Sequence, residues 1–265
     1  MEILSSSGLQ STVLAAMSHF ELKIFRYPTL PSTNTEAARL ALAGAAEGHC
    51  VVADEQTAGR GRLLREWSSP KDAGLYFSII LRPSLPPEYW PLITLMAALG
   101  VQTALAKAAN LETDIKWPND LLANDRKLCG ILTETVDTKL GRVIVVGIGI
   151  NLRTAALPPE LTETATSVES ATGHAVERES ILAALVTALR ECYSRLQSSG
   201  GEEEVVRDWC NRSSYAYGKR VRVSNENEVI EGITQGLEAD GALRVETDDG
   251  CVRIIRAGDV SALRS

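Results

Sequence analysis

"KLCGILTETVDTKLGRVIVVGIGIN" (127–151) holds two runs of apolar and β-branched residues, 127–136 and 142–150, on either side of Lys139–Gly141. The pattern predicts two adjacent strands joined by a hairpin. The second run is apolar at every position from Val143 to Val146, which places it in the middle of a sheet covered on both sides. Just upstream, "DIKWPND" (114–120) reads as a strand ended by Pro118, because proline cannot continue an interior ladder. "CVVADE" (50–55) and "LYFSIIL" (75–81) add two more strands.

Helices are expected between them. Residues 33–43 open with Thr33 and carry Glu36 three positions on, a capping-box pattern, with Ser32, Thr33 and Asn34 exposed at the helix start. Residues 88–109 are rich in Ala and Leu and close near Asn110. Two further helices are expected at about 179–197 and about 202–211, after a surface loop over 154–166 marked by Pro158 and Pro159. From Gly218 the texture changes to short alternating strands separated by Asn225–Asn227, Asp240–Gly241 and Asp249–Gly250, the pattern of a small antiparallel barrel. The fold class is therefore α+β. It consists of a mixed sheet flanked by helices in residues 1–215, with 1–24 as a peripheral segment, and a small barrel domain in 216–265.

Composition narrows the function. A chain of 265 residues with 45% hydrophobic and 23% charged residues has room for one large globular domain or for one large and one small. Its net charge of −7 argues against sequence-independent binding to nucleic acid over a broad face. The five cysteines show no metal or redox spacing and read as reduced thiols of a cytoplasmic protein. The three histidines form no local ligand set. No stretch of about 18 uninterrupted apolar residues suggests a membrane span. The N-terminus lacks a basic leader, so no secretion signal is expected.

Three segments can carry chemistry. In "DEQTAGRGRLLREWSSP" (54–70), glycines allow close backbone approach and arginine forks suit phosphate or carboxylate oxygens. A solvated loop whose arginines balance Asp54, Glu55 and Glu66 fits that stretch equally well. In "KWPND", Lys116, Asn119 and Asp120 sit at a strand end, with Lys127 seven residues beyond Asp120. Two lysines and an aspartate near one connection favour function over a surface ion pair. "GIGIN" (147–151) permits close approach of a ligand or simply tight sheet packing, and it lacks the third glycine of a dinucleotide loop.

Taken together, "STN" (32–34), "GRGR" (59–62), "KWPND" (116–120), "KLCGIL" (127–132) and "GIGIN", in this order, resemble the biotin protein ligases over roughly residues 25–265. The resemblance implies a catalytic domain related to class II aminoacyl-tRNA synthetases followed by an SH3-like barrel. It also implies a two-step reaction. Biotin and ATP·Mg²⁺ first give biotinyl-5′-AMP and pyrophosphate, and biotin then passes to one lysine of the biotin carboxyl carrier protein of acetyl-CoA carboxylase. By the same resemblance Lys127, Asp120, Arg60 and Arg62 are catalytic. Ser32, Thr33, Asn34, Gln56, Gly59, Gly130 and Gly149 bind biotin with Arg60, Arg62 and Lys127. Arg65, Trp67, Lys116, Asn119 and Asn151 bind the nucleotide or adenylate with Arg60, Arg62 and Lys127. The arginine loop is expected to close over the adenylate, and Leu63 and Leu64 depart from relatives that carry a basic residue and a glycine there.

About 30 residues precede "STN", too few for the winged helix-turn-helix of relatives that also repress transcription. A monofunctional enzyme that does not bind DNA or membrane is therefore expected, as monomer or homodimer. The alternatives are a lipoate–protein ligase, which shares the adenylation logic, and a repressor or catalytically silent biotin-binding protein. "GRGRLLREW" with "KWPND" favours biotin, and the Arg60, Arg62, Asp120 and Lys127 set argues against a silent protein.

Overall fold

The computed structural model describes residues 21–225 and 228–263, so most of the peripheral segment expected at 1–24 lies outside it. Seven strands form the main sheet in the order β1-β2-β3-β7-β6-β5-β4. They are β1 (Lys23–Leu30), β2 (His49–Gln56), β3 (Gly74–Leu81), β4 (Asp114–Lys116), β5 (Asp120–Ala123), β6 (Arg126–Thr138) and β7 (Gly141–Asn151). Only β1 and β2 run parallel, linked through helix α1 (Thr33–Leu42), and every other neighbour is antiparallel. The sheet is mixed, as expected, and β7 is its central strand. The 127–151 hairpin closes at Thr138↔Gly141, with Gly141 in the left-handed region at φ 98°.

Strand β1 was not among the expected elements. Its sequence, KIFRYPTL, contains Pro28, which an edge strand tolerates because one side of its ladder stays unpaired. The expected helix at 88–109 begins later, as α2 (Leu92–Ala109), after a short 3₁₀ turn at Pro87–Tyr89. It ends at Asn110, which is left-handed at φ 46°. α2 is long and apolar enough to cross a membrane by length and composition. Its apolar residues are instead buried within the main core, and it packs against α4 (Arg178–Leu196) and α5 (Gly201–Arg212). The 154–166 stretch contains two 3₁₀ turns, and the short helix α3 (Val168–Thr172), also unexpected, follows it.

The capping box at α1 does not form. Ser32 rather than Thr33 is the N-cap residue, and its side chain makes no cap hydrogen bond. The Glu36 carboxylate turns to Tyr27 Oη at 2.7 Å and to Arg39. Ser32, Thr33 and Asn34 are also buried rather than exposed, because the start of α1 is pressed against the sheet.

The C-terminal strands are β8 (Tyr217–Ser224), β9 (Val229–Leu237), β10 (Leu243–Glu246), β11 (Val252–Ile255) and β12 (Asp259–Ala262). They form one antiparallel sheet in the order β11-β10-β9-β8-β12. Its inward residues Val221, Val223, Leu243 and Val245 join the same apolar cluster as Leu92, Leu95 and Trp117. Trp117, in a turn whose Trp117–Pro118 bond is cis, donates its indole Nε1–H to Gly241 O at 3.0 Å.

Candidate active site

The site grows out of strand alternation. Successive β residues face opposite sides, so Val143, Val145, Gly147 and Gly149 of β7 share one face, and Ile144, Val146, Ile148 and Ile150 the other. Cross-strand pairing then builds a row on the first face. Tyr76 lies opposite Gly149, Gly149 opposite Gly130, Gly130 opposite Asp120 and Asp120 opposite Lys116. The glycines leave a shallow floor, and Trp67 occupies it. A Cβ on Gly149 would come within 2.6 Å of the Trp67 ring, and one on Gly130 within 3.0 Å.

At one end of this floor the groups are uncharged, with the Glu134 carboxylate behind Asn34. The Thr33 backbone N–H donates to Gln56 Oε1 at 2.8 Å, and Gln56 Nε2 donates to Ser69 Oγ at 2.7 Å. Ser78 Oγ lies 2.6 Å from Asn34 Oδ1 and 2.8 Å from Thr33 Oγ1. Gly147 faces Asn34 so closely that a Cβ there would overlap the amide oxygen.

At the other end the groups are charged. Lys127 Nζ is 2.7 Å from Asp120 Oδ1 and 5.5 Å from the centre of the Trp67 ring. Lys116 Nζ is 3.5 Å from Asp120 Oδ2. A strictly alternating strand would put Lys127 and Gly130 on opposite faces. The register between β5 and β6 shifts by one residue, from Leu121↔Cys129 to Leu122↔Lys127. This irregularity turns the lysine onto the cavity face, while Leu128 and Cys129 both enter the core. Burial pushes the Cys129 thiol well above its ordinary range, so it remains a protonated packing group.

The arginine loop spans the two ends. Trp67 N donates to Gly59 O at 3.0 Å, which closes the loop's base, and Gly59 is packed against Trp67 O and Ser69. Arg60 Nη2 lies 3.2 Å from Glu134 Oε2. Arg62 donates to Asn119 Oδ1 at 3.1 Å and to Gly258 O at 3.3 Å. Burial pulls the Arg62 guanidinium below its ordinary value, with Asp259 and Asp120 pushing the other way, and it stays charged as arginine does in proteins. Arg65 is exposed and pairs with Asp259 at the start of β12.

A single cavity thus gathers Ser32, Thr33, Asn34, Gln56, Arg60 and Arg62 with Trp67, Asn119, Asp120, Lys127, Gly130 and Gly149. Four residues expected there fall outside its lining. Gly59 belongs to the loop's base, Lys116 stands behind Asp120, and Arg65 points to the second sheet. The amide of Asn151 is buried and donates to Thr166 O at 3.0 Å. Conversely, Tyr76, Gly147, Leu132 and Asp259 line the cavity, and Ser78 and Glu134 support it. Gly147 and Leu132 lie within "GIGIN" and "KLCGIL", though neither is among the expected site residues, and the other four lie outside all five ordered motifs.

A cavity with a neutral hydrogen-bonding end, an apolar floor and a cationic end, under an arginine loop, suits a ligand with a polar uncharged head, an apolar middle and an anionic end. Comparison with known proteins gives the class, a biotin/lipoate-type protein ligase. Residues 27–151 match the Biotin/lipoate A/B protein ligase family and residues 217–263 the Biotin protein ligase C terminal domain. The chain is 37% identical over 236 residues to the bifunctional ligase/repressor BirA of Bacillus subtilis, covering 87% of this chain and 71% of that one. It is 33% identical over 240 residues to the biotin–[acetyl-CoA-carboxylase] ligase of Mycobacterium tuberculosis, covering 88% and 86%. A structure of the Aquifex aeolicus biotin protein ligase in complex with biotin and ATP superposes with a TM-score of 0.80 at 29% identity, covering 93% of this chain and all of that one. The chain belongs to the biotin protein ligase family.

Proposed function

We propose that this protein joins biotin to a lysine of the biotin carboxyl carrier protein of acetyl-CoA carboxylase, through biotinyl-5′-AMP. The observation that carries the reading is the polarity gradient of the cavity. Thr33, Asn34 and Gln56 offer neutral donors and acceptors to an uncharged ureido ring. Trp67 and the paired glycines suit the apolar chain, and Lys127, Arg60 and Arg62 await the carboxylate and phosphates.

In the first step a biotin carboxylate oxygen attacks the α-phosphorus of ATP and pyrophosphate leaves. Two anions must meet, and Lys127 with the two arginines offsets their repulsion and the charge that develops. Mg²⁺ is taken to arrive bound to ATP. Among the described residues no three His, Cys, Asp or Glu side chains gather to hold a metal ion, and Mg²⁺ is commonly held through substrate phosphates. In the second step the acceptor lysine must lose a proton before its nitrogen attacks the acyl carbon and AMP departs. Asp120 orients the incoming ammonium and takes that proton. Trp67 and the closed arginine loop keep water from the mixed anhydride. Arg65, Lys116 and Asn119 act from the margin of the adenylate site, and Asn151 through the buried segment it anchors at Thr166.

On this reading residues 1–215 form the catalytic domain and 216–265 the SH3-like domain. The five free cysteines suit a reducing cytoplasm, and the protein acts as a monomer or homodimer. The decisive experiment incubates the protein with biotin, ATP, Mg²⁺ and an apo carrier domain and weighs the carrier. A biotin mass increment is expected. No increment, or an increment only with lipoate in place of biotin, would sink the proposal.

A further inference from the structure

Glu134 has none of the catalytic or binding roles assigned above, yet its carboxylate holds both the buried Asn34 amide and the guanidinium of the arginine loop's Arg60. It follows Gly130 and Leu132 on the cavity face of β6 and pairs across to Val145. Its Oε2 accepts from Asn34 Nδ2 at 2.7 Å and lies 3.2 Å from Arg60 Nη2. The second Asn34 amide hydrogen goes to Leu132 O at 3.2 Å. A carboxylate and a carbonyl both only accept, so Glu134, by the shorter and charge-assisted contact, and Leu132 O together fix which end of the buried Asn34 amide is nitrogen. Flipping that amide would set its oxygen against both. Arg60 reaches Glu134 from the loop and also Thr35 Oγ1 at 3.5 Å. One side chain therefore ties together the start of α1, the sheet and the arginine loop.

We propose that Glu134 is a positioning residue that orients Asn34 for the neutral head of the substrate and, through Arg60, sets where the loop closes over the adenylate. The proposal rests on the biotin-ligase reading. Its two contacts differ in weight. Asn34 is buried and its bond is charge-assisted, whereas the Arg60–Glu134 pair is 42% and 34% exposed, so solvent screens it.

Two variants separate the contacts. Glu134→Gln keeps an acceptor for Asn34 and removes the charge facing Arg60, and Glu134→Ala removes both. Each is compared with the wild type for biotin Kd by calorimetry, and for adenylate escape, measured as pyrophosphate released in excess of biotin attached to the carrier. Glu134→Ala should raise Kd about tenfold, and Glu134→Gln should stay within about twofold of wild type. Both should raise escape by roughly two- to fivefold. The assignment falls if Glu134→Ala leaves Kd and escape at wild-type levels. It also falls if both variants lose affinity, turnover and thermal stability in parallel, as a merely structural residue would. A wild type that attaches no biotin would instead sink the underlying reading, so the two failures are distinguishable.

Discussion

Ile144, Val146, Ile148 and Ile150 of β7 join the large core that includes α2 and α4, and their neighbours Val143, Val145, Gly147 and Gly149 face the other way. On the first side, the long apolar α2 and the amphipathic α4 cover the sheet. On the second, the ten-residue α1 packs its Ala37 and Ala41 near Val143 and Val145, and the glycines beyond are left to the cavity. The same strand thus supplies cohesion on one face and a binding floor on the other. What differs is two missing side chains and the length of the covering helix. Alternation in a sheet allows this division at no cost to the ladder, because the backbone pairing is shared.

Substitutions on the two faces should break different properties. The largest effect is expected at the charged end of the cavity. Lys127→Ala should slow adenylate formation about a thousandfold, or ~4 kcal/mol, with the melting temperature retained, and near-normal pyrophosphate release would refute its role. Asp120→Ala, by contrast, should slow transfer to the carrier more than activation in single-turnover assays. On the apolar face, Leu105→Ala in the fully buried α2 position should cost about 3 kcal/mol in denaturant unfolding and leave the biotin KM alone. Gly147→Ala, whose Cβ would strike Asn34, should weaken biotin binding about thirtyfold, or ~2 kcal/mol. Calorimetry showing wild-type affinity would contradict the close approach.

Two smaller effects sharpen the comparison. Asp259→Asn removes the counter-charge of Arg62 and Arg65 and should reduce turnover by only about two- to fivefold. Finally, burial raises the Cys129 thiol far above its ordinary range and the Cys50 thiol to about 12. Their reactive thiolates are therefore scarce below those values. At pH 8 iodoacetamide should modify exposed Cys251 and spare both, and peptide mass mapping that finds either one alkylated would contradict the buried face.

Much of this division is legible in the sequence. The unbroken apolar run in 142–150, apolar on both faces, points to the central strand, and the ordered motifs gather most of the cavity. The sequence could not show which way Lys127 points. Counting by twos from Gly130 puts it on the apolar side, and only the shift of pairing with β5 reverses that. The sequence does not show which way Asn151 faces, because a residue ending a strand can turn to the ligand or to its own chain, and here it holds Thr166. Ser32–Asn34 read as an exposed polar helix start because their burial depends on Gln56, Ser69 and Ser78, which lie far along the chain. Glu134 and Asp259 had no motif, since their partners are arginines 74 and 194 residues away.

The turn from Lys116 to Asp120 has a consequence for the transplantation of parts between relatives. Trp117 is fastened to Gly241 of the C-terminal unit, while Asp120, three positions on, presents its carboxylate to Lys127. Arg62 meets that same unit again at Gly258. A graft made at residue 216 would therefore exchange more than a passive appendage. The incoming piece would set the seat of a tryptophan whose own strand connection ends on Asp120, so a mismatched donor would shift the carboxylate that faces Lys127.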